Sequence, residues 1–254
     1  MSRYLLLAVA LIALSTAHAH AVDTLDVKAT VKESWTTFSG PDLPSDGHAL
    51  YTARDGSIWW GVEGGAIRYN GTDWTRYSSA DGLMDGAVRC ITQSEDGTLW
   101  FAGSHRGRAA VAGYDGEAWR VYSEKDGLVG AWISSLAFDT AGNLWANSLT
   151  AFSREVDPVQ HGYGVMRYDG NTWRNYRMAD GLVHNRVHRI AAGSDGAVWF
   201  ATHGGVSCFD GEKWATSLVW RPGNSSTYPA KQHRLPECPP KRPRREGGCI
   251  EGPV

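Results

Sequence analysis

The sequence predicts an all-β fold, a β-propeller of four-stranded antiparallel blades with about four blades present as a partial or small ring. Three observations predict it. A first motif recurs four times, as Asp55-Gly56-Ser57-Ile58-Trp59, Asp96-Gly97-Thr98-Leu99-Trp100, Ala141-Gly142-Asn143-Leu144-Trp145 and Asp195-Gly196-Ala197-Val198-Trp199. A second alternates with it, as Asn70-Gly71-Thr72-Asp73-Trp74, Asp115-Gly116-Glu117-Ala118-Trp119, Asp169-Gly170-Asn171-Thr172-Trp173 and Asp210-Gly211-Glu212-Lys213-Trp214. Beyond the first 21 residues no segment sustains a 3.6-residue apolar period, which excludes a helical solenoid.

Each unit of roughly 40 to 45 residues resolves into four short strands. Strand A is the stretch Val88 to Ile91, with counterparts ending at Leu50, Leu136 and Ile190. The Asp-Gly pair that follows predicts a tight two-residue hairpin, because a primed turn needs the positive φ that glycine and a neighbouring Asp or Asn tolerate. Strand B carries the tryptophan of the first motif, as in Leu99-Trp100-Phe101-Ala102. Strand C is Ala66 to Tyr69, Ala110 to Tyr114, Gly164 to Tyr168 or Val206 to Phe209, ending in the second glycine hairpin. Strand D pairs Trp74 with Tyr77, Trp119 with Tyr122 and Trp173 with Tyr176. A leading strand D is expected at Trp35 and Phe38. A third motif, Asp-Gly-Leu, follows three of these strands at Asp81, Asp126 and Asp180. The blade cores fall near residues 47–78, 88–123, 133–177 and 187–218, within a propeller region of 22–220.

The 12 Trp and 30 Gly in 254 residues follow from this repeat. Nine tryptophans occupy the strand B and strand D columns, and only Trp60, Trp132 and Trp220 stand outside them. A net charge of −2 with 20% charged residues excludes a disordered or strongly nucleic-acid-seeking chain. At the amino terminus, Arg3, the apolar run Leu5 to Leu14 and the A-x-A triplets around His18 and His20 predict a cleaved signal peptide over 1–21 and a periplasmic or secreted protein. Cys90 and Cys208 read as small buried hydrophobes, and a Cys238–Cys249 disulfide is possible in an oxidising compartment.

The order Asp81-Gly82-Leu83, then Val88 and Ile91, then Asp96-Gly97-x-Leu99-Trp100-Phe101-Ala102, resembles the two-component regulator propeller repeat of exported sensory regions in hybrid histidine kinases. Residues Asp180 to Trp214 follow the pattern almost column for column, and Asp81 to Trp119 follow it with a widened middle. The resemblance spans about residues 35–214. It implies about seven blades per ring and a sensing or interaction role, and it designates no ligand; because the sequence carries no kinase segment, a membrane sensor kinase in a separate chain is the signalling partner expected.

Repeat lengths point to a working face. From the strand B to the strand D tryptophan the count is 15 (59 to 74), 19 (100 to 119), 28 (145 to 173) and 15 (199 to 214). The added residues are therefore expected in B-to-C loops, on the face that also carries the Asp-Gly-Leu loops, and variable loops on a rigid scaffold commonly carry recognition. That face nominates His105, Arg106 and Arg108, then Arg154, Glu155, Asp157 and His161, then His184, Asn185, Arg186 and His203. Strand A positions line the channel of a propeller and nominate His48, Arg89, Ser134 and His188 in matching columns, with Trp132 beside them. Such a set reads either as a solvated loop surface or as a cationic, imidazole-lined mouth for a small-molecule or glycan ligand.

No catalytic residue, metal site or cofactor is expected. The chain lacks H-E-x-x-H, G-x-S-x-G, Cys-x-x-Cys and phosphate-cradling glycine motifs. A propeller-fold lyase or hydrolase and a protein-interaction scaffold stand as alternatives to a non-catalytic sensor module. The basic run Lys241-Arg242-Pro243-Arg244-Arg245 lies in a stretch, 221–254, that holds seven of the 10 prolines and reads as a disordered, solvated tail, so no nucleic-acid partner is expected. Four blades shaped for a larger ring would leave open apolar faces, which predicts possible self-association through the blade edges.

Overall fold

The computed structural model describes residues 23–25, 27–32, 35–40, 42–149 and 162–218. The expected signal peptide, the 221–254 tail, Trp220, and Arg154, Glu155, Asp157 and His161 of the long insertion lie outside them.

Two short pieces come first. Strand β1 (Asp23–Thr24) joins the outer edge of blade I, and β2 (Lys28–Lys32) pairs antiparallel with β3 (Trp35–Ser39) as a separate hairpin. Blade I is β4 (Ala49–Thr52), β5 (Ile58–Val62), β6 (Gly65–Tyr69) and β7 (Trp74–Tyr77). Blade II is β8 (Val88–Gln93), β9 (Leu99–His105), β10 (Arg108–Tyr114) and β11 (Trp119–Tyr122). Blade III is β12 (Leu136–Phe138), β13 (Leu144–Ser148), β14 (Gly164–Tyr168) and β15 (Trp173–Tyr176). Blade IV is β16 (Val187–Ala192), β17 (Val198–Thr202), β18 (Gly205–Phe209) and β19 (Trp214–Leu218). Each blade is an antiparallel A-B-C-D meander, and strands A of consecutive blades lie side by side.

The turns differ in detail from the expectation. The C-to-D hairpin is a two-residue loop led by a left-handed glycine, as at Gly71, where the Asn70 carboxamide accepts the Thr72 and Asp73 N–H groups. The A-to-B hairpin is instead a three-residue loop, Arg54-Asp55-Gly56 in blade I, closed by the Ala53 N–H donating to the Ser57 carbonyl. Only the glycine has positive φ there. The aspartate serves another purpose, accepting the N–H two residues on at 2.9 Å for Asp55 and 3.0 Å for both Asp96 and Asp195.

The Asp-Gly-Leu motif also has a specific physical cause. Asp81, Asp126 and Asp180 each accept a backbone N–H three residues upstream at 2.8 Å, closing a 3-10 turn. The following glycine ends that turn, and at Gly181, with φ 122°, a Cβ would lie 2.6 Å from the Cβ of Trp214. The leucine then enters the junction, with Leu83, Leu128 and Leu182 all buried.

Blades are held together by seating each strand B tryptophan among aromatics of the next blade. Trp59 lies 5.2 Å from Tyr77 of its own blade and 5.2, 5.9 and 6.4 Å from Phe101, Tyr114 and Trp119 of blade II. Trp145 repeats the arrangement with Tyr176, then Phe200, Phe209 and Trp214 of blade IV. Trp100 packs on Tyr122, Phe138 and Tyr168. Each of these indoles donates its N–H to an acceptor in its own blade, Ser57, Ser94 or Asp139. Three buried clusters correspond to the three junctions, and among the described residues no fourth cluster joins blade IV to blade I, so the blades form an arc.

Cys90 is a free thiol that is only partly buried, packed against the junction of blades II and III. Cys208 is buried but is not a free apolar filler, because it is disulfide-bonded.

Truncating Trp145, which is fully buried, should cost about 3–5 kcal/mol, the range for deleting a large aromatic from a core. Trp199 heads no such junction and is half-buried, so Trp199→Ala should cost less than half as much. Urea denaturation of the two variants measures the difference.

Candidate functional site

Strand order puts the B-to-C turns and the D-to-A connections at one end of the arc, and the strand A side chains along its inner edge. The widened middle of blade II is not a loop. Its four extra residues lengthen β9 and β10 to seven residues each, and they end in a two-residue turn, Arg106-Gly107. Blade I also turns on two residues, Glu63-Gly64, and blade IV on His203-Gly204. The variable-loop expectation is therefore corrected for blade II, and only blade III carries a long B-to-C connection. The added pairs are Ser104 with Ala109 and His105 with Arg108, and Ala109 is buried against blade III.

Arg106 is the one non-glycine residue with positive φ among the described residues, at 51°, followed by Gly107 at 71°. What holds it there is Asp85, whose carboxylate accepts the Arg106 N–H at 2.7 Å and lies 2.9 Å from His105 Nδ1. The Arg106 N–H bond, with the His105 charge in support, holds the Asp85 carboxyl below the usual carboxylate range. His105 and the Arg106 backbone thus brace a hairpin tip. Arg108 stands beside them, 3.6 Å from Glu124 and largely exposed.

The inner edge is richer. Arg89 and His188 occupy the same place in β8 and β16, and in both strands the register with strand B shifts at that residue, a β-bulge. A bulge re-aims its side chain, and both residues are exposed. Arg89 lies over the Trp132 ring, 6.0 Å from its centroid, so two sequence candidates from adjacent blades form a cation–π pair. Ser134 is tied down instead, its N–H donating to Asn147 at 2.8 Å and its carbonyl accepting from Arg189 at 3.3 Å. That arginine was not among the sequence candidates. It is exposed, also reaches the His188 carbonyl at 3.2 Å, and so links blade IV to blade III at the inner edge. The signal that could have found it is its place directly after His188, a nominated strand A position. His48 is separate, 3.7 Å from Glu63 in blade I.

Blade IV gathers the imidazoles. The His184 and His203 rings lie 5.4 Å apart and the His188 and His203 rings 6.3 Å apart. Burial, then the charges of His203, Arg186 and His188, push the His184 pKa below its ordinary 6.5. His188 is lowered as well, by burial and then by Arg186, His203 and Arg189. His184 Nδ1 accepts the Arg186 N–H at 2.9 Å, which leaves Nε2 as the protonated nitrogen of the neutral ring. Asn185 is structural, its side chain accepting the Met178 N–H at 2.8 Å. Among the described residues no group of three or more His, Cys, Asp or Glu side chains converges as a metal site.

Two outcomes follow from this geometry. Replacing Arg106 by Asn would place Asn-Gly in the turn, relieving the left-handed strain of arginine while keeping the N–H to Asp85, so the variant should be more stable by up to about 1 kcal/mol in urea denaturation. As for pH, the unfolded chain takes up its His184 proton first, near pH 6.5. The stability carried by the neutral ring is therefore full above that value and declines as pH falls below it toward the lower folded pKa. The urea midpoint should drop between pH 7 and pH 5, and His184→Gln should flatten the drop.

Comparison with known proteins agrees with the blade architecture. Residues 82–105 match the model of the family described as two component regulator propeller. No curated protein matches the sequence. Among solved structures, the extracellular domain of a Bacteroides thetaiotaomicron hybrid two component system superposes with a TM-score of 0.56 at 17% identity, covering 72% of this chain and 26% of that one. The extracellular domain of a one component system from the same organism gives 0.52 at 19% identity, covering 69% and 26%. PorZ, a surface component of the Porphyromonas gingivalis type-IX secretion system, gives 0.50 at 16%, covering 74% and 29%. The chain thus spans roughly a quarter of the length of these neighbours, and at such identities the likeness is one of fold. Among the described residues no helix is long and apolar enough to cross a membrane. The chain is a run of β-propeller blades, and residues 82–105 are similar to a two component regulator propeller repeat.

Proposed function

We propose that this chain is an exported, non-catalytic binding module of the sensory propeller type, whose inner edge takes an acidic saccharide or a comparable organic anion. The observation that carries the reading is the line of cations and aromatic surface along the inner edge of three adjacent blades: Arg89 of β8 over Trp132, in the connection entering β12, then His188 and Arg189 of β16. A guanidinium held over an indole face offers both halves of acidic-sugar recognition, a charge for the carboxylate and a flat apolar surface for the ring. The two bulges that push Arg89 and His188 outward supply the pre-organisation, since strands hold such groups more firmly than loops do. The sensory part of the reading is supported by the match at 82–105 and by the fold shared with extracellular sensor domains.

Thermal shift and intrinsic fluorescence on the full chain, with uronic and sialic acids set against the neutral parent sugars, test the reading. Acidic sugars should raise the melting temperature and quench fluorescence, and Arg89→Ala or Trp132→Ala should weaken binding at least tenfold while leaving the unliganded melt within about 2 °C. Equal response to neutral sugars, or retained affinity in both variants, would overturn it.

A further inference from the structure

The junctions between blades I to IV define what belongs in one cavity elsewhere in the molecule. At each of the three junctions the tryptophan of strand B sits in an aromatic cage. For Trp59 the cage is Tyr77 of its own strand D, with Phe101, Tyr114 and Trp119 from the next blade. For Trp145 it is Tyr176, Phe200, Phe209 and Trp214. In the repeat register the same four places ahead of blade I are Phe38, Trp60, Tyr69 and Trp74. Phe38 lies 5.3 Å from both Tyr69 and Trp74, so the hairpin β2–β3 packs on blade I as the C and D strands of a preceding blade. Phe38, Trp60 and Trp74, three of the four cage residues, line a cavity of about 560 Å³ together with Leu43 and Pro44.

The backbone repeats the same arrangement. In blades I to IV strand C pairs with D on one side and B on the other, whereas among the described residues β2 pairs only with β3. Lys28, Ala29 and Thr30 of β2 are exposed, in contrast to the buried Ala110 to Ala112 of the equivalent strand in blade II. An open strand edge beside an aromatic cavity is the geometry of β-strand addition, in which main-chain pairing supplies affinity and a side-chain pocket supplies selectivity.

We propose that this edge and cavity form a peptide-docking site. It takes an extended segment of a partner polypeptide, which adds to β2 as strand B and places a tryptophan between Phe38, Trp60 and Trp74. The site lies on blade I, away from the inner-edge cations, and is independent of the anion-binding reading. It also gives a use to Trp60, which no blade junction absorbs.

The test uses the full chain and a fluorescein-labelled peptide with this protein's own strand B sequence, residues 94–103, followed by anisotropy. Saturable binding is expected, at least tenfold weaker for the peptide with Trp100→Ala and at least tenfold weaker for protein carrying Trp60→Ala. The milder Trp60→Phe should retain most of the affinity, which keeps the test decisive if Trp60→Ala folds poorly, and Glu117→Ala, on an exposed turn of blade II, should bind as the parent does. Equal binding of the Trp100→Ala peptide, or affinity unaffected by Trp60→Ala, overturns the proposal. So does sedimentation showing Trp60-dependent self-association with no binding of the peptide, which would give the cavity to a second copy.

Discussion

The seating of one indole per blade in the aromatic cage of the next is the interaction on which the rest of the arc depends. A four-stranded sheet of strands three to seven residues long cannot bury both faces by itself, and it gains a core only by stacking. The strand B tryptophan supplies a large apolar area at that interface. Its single polar atom is satisfied inside its own blade by Ser57, Ser94 or Asp139, so this indole N–H is not stranded when two blades meet. The strand D tryptophans complete the cage from the other side. The Asp-Gly-Leu turns then add a leucine to each junction and keep the backbone close enough for the cage to close.

Much of this was legible in the sequence because it is repeated. Tryptophan columns, hairpin glycines and strand number all recur in a fixed order, and recurrence separates a structural demand from chance. The leading strand D at Trp35 was readable for the same reason, while its partner β2 was not, since Lys28–Lys32 carries no repeat motif. Other features escaped because they depend on pairing, which composition does not encode. The A-to-B loops hold three residues and not two, with aspartate acting as an acceptor and not as a second left-handed residue. The extra length of blade II entered strands, as two added cross-strand pairs, Ser104 with Ala109 and His105 with Arg108. Cys208 read as an ordinary buried hydrophobe because a disulfide depends on a spatial neighbour.

The candidate site shows the same division. Residue types and their common face were visible: Arg89, His188 and Trp132 were nominated, and the structure brings Arg89 onto Trp132 and His184, His188 and His203 into one group. Their standing changed once hydrogen bonds were known. Asn185 and Ser134 are engaged in holding backbone, His105 braces a hairpin with Asp85, and Arg189 enters through its bonds to Ser134 and His188. The bulges at Arg89 and His188 were beyond reach of a period-two reading, because a bulge breaks the alternation on which that reading relies.

The open arc has a mechanical consequence. In a closed ring every blade is clamped on two sides, whereas here each junction is a single link in a linear chain of near neighbours, as in a solenoid. Such a chain loosens from its ends inward, one blade at a time. The inner-edge groups of blades II, III and IV span two successive links, so a molecule gripping Arg89, Trp132 and His188 together would act as a strut across them. Occupancy would then be felt as stiffness along the arc, without any blade changing its fold.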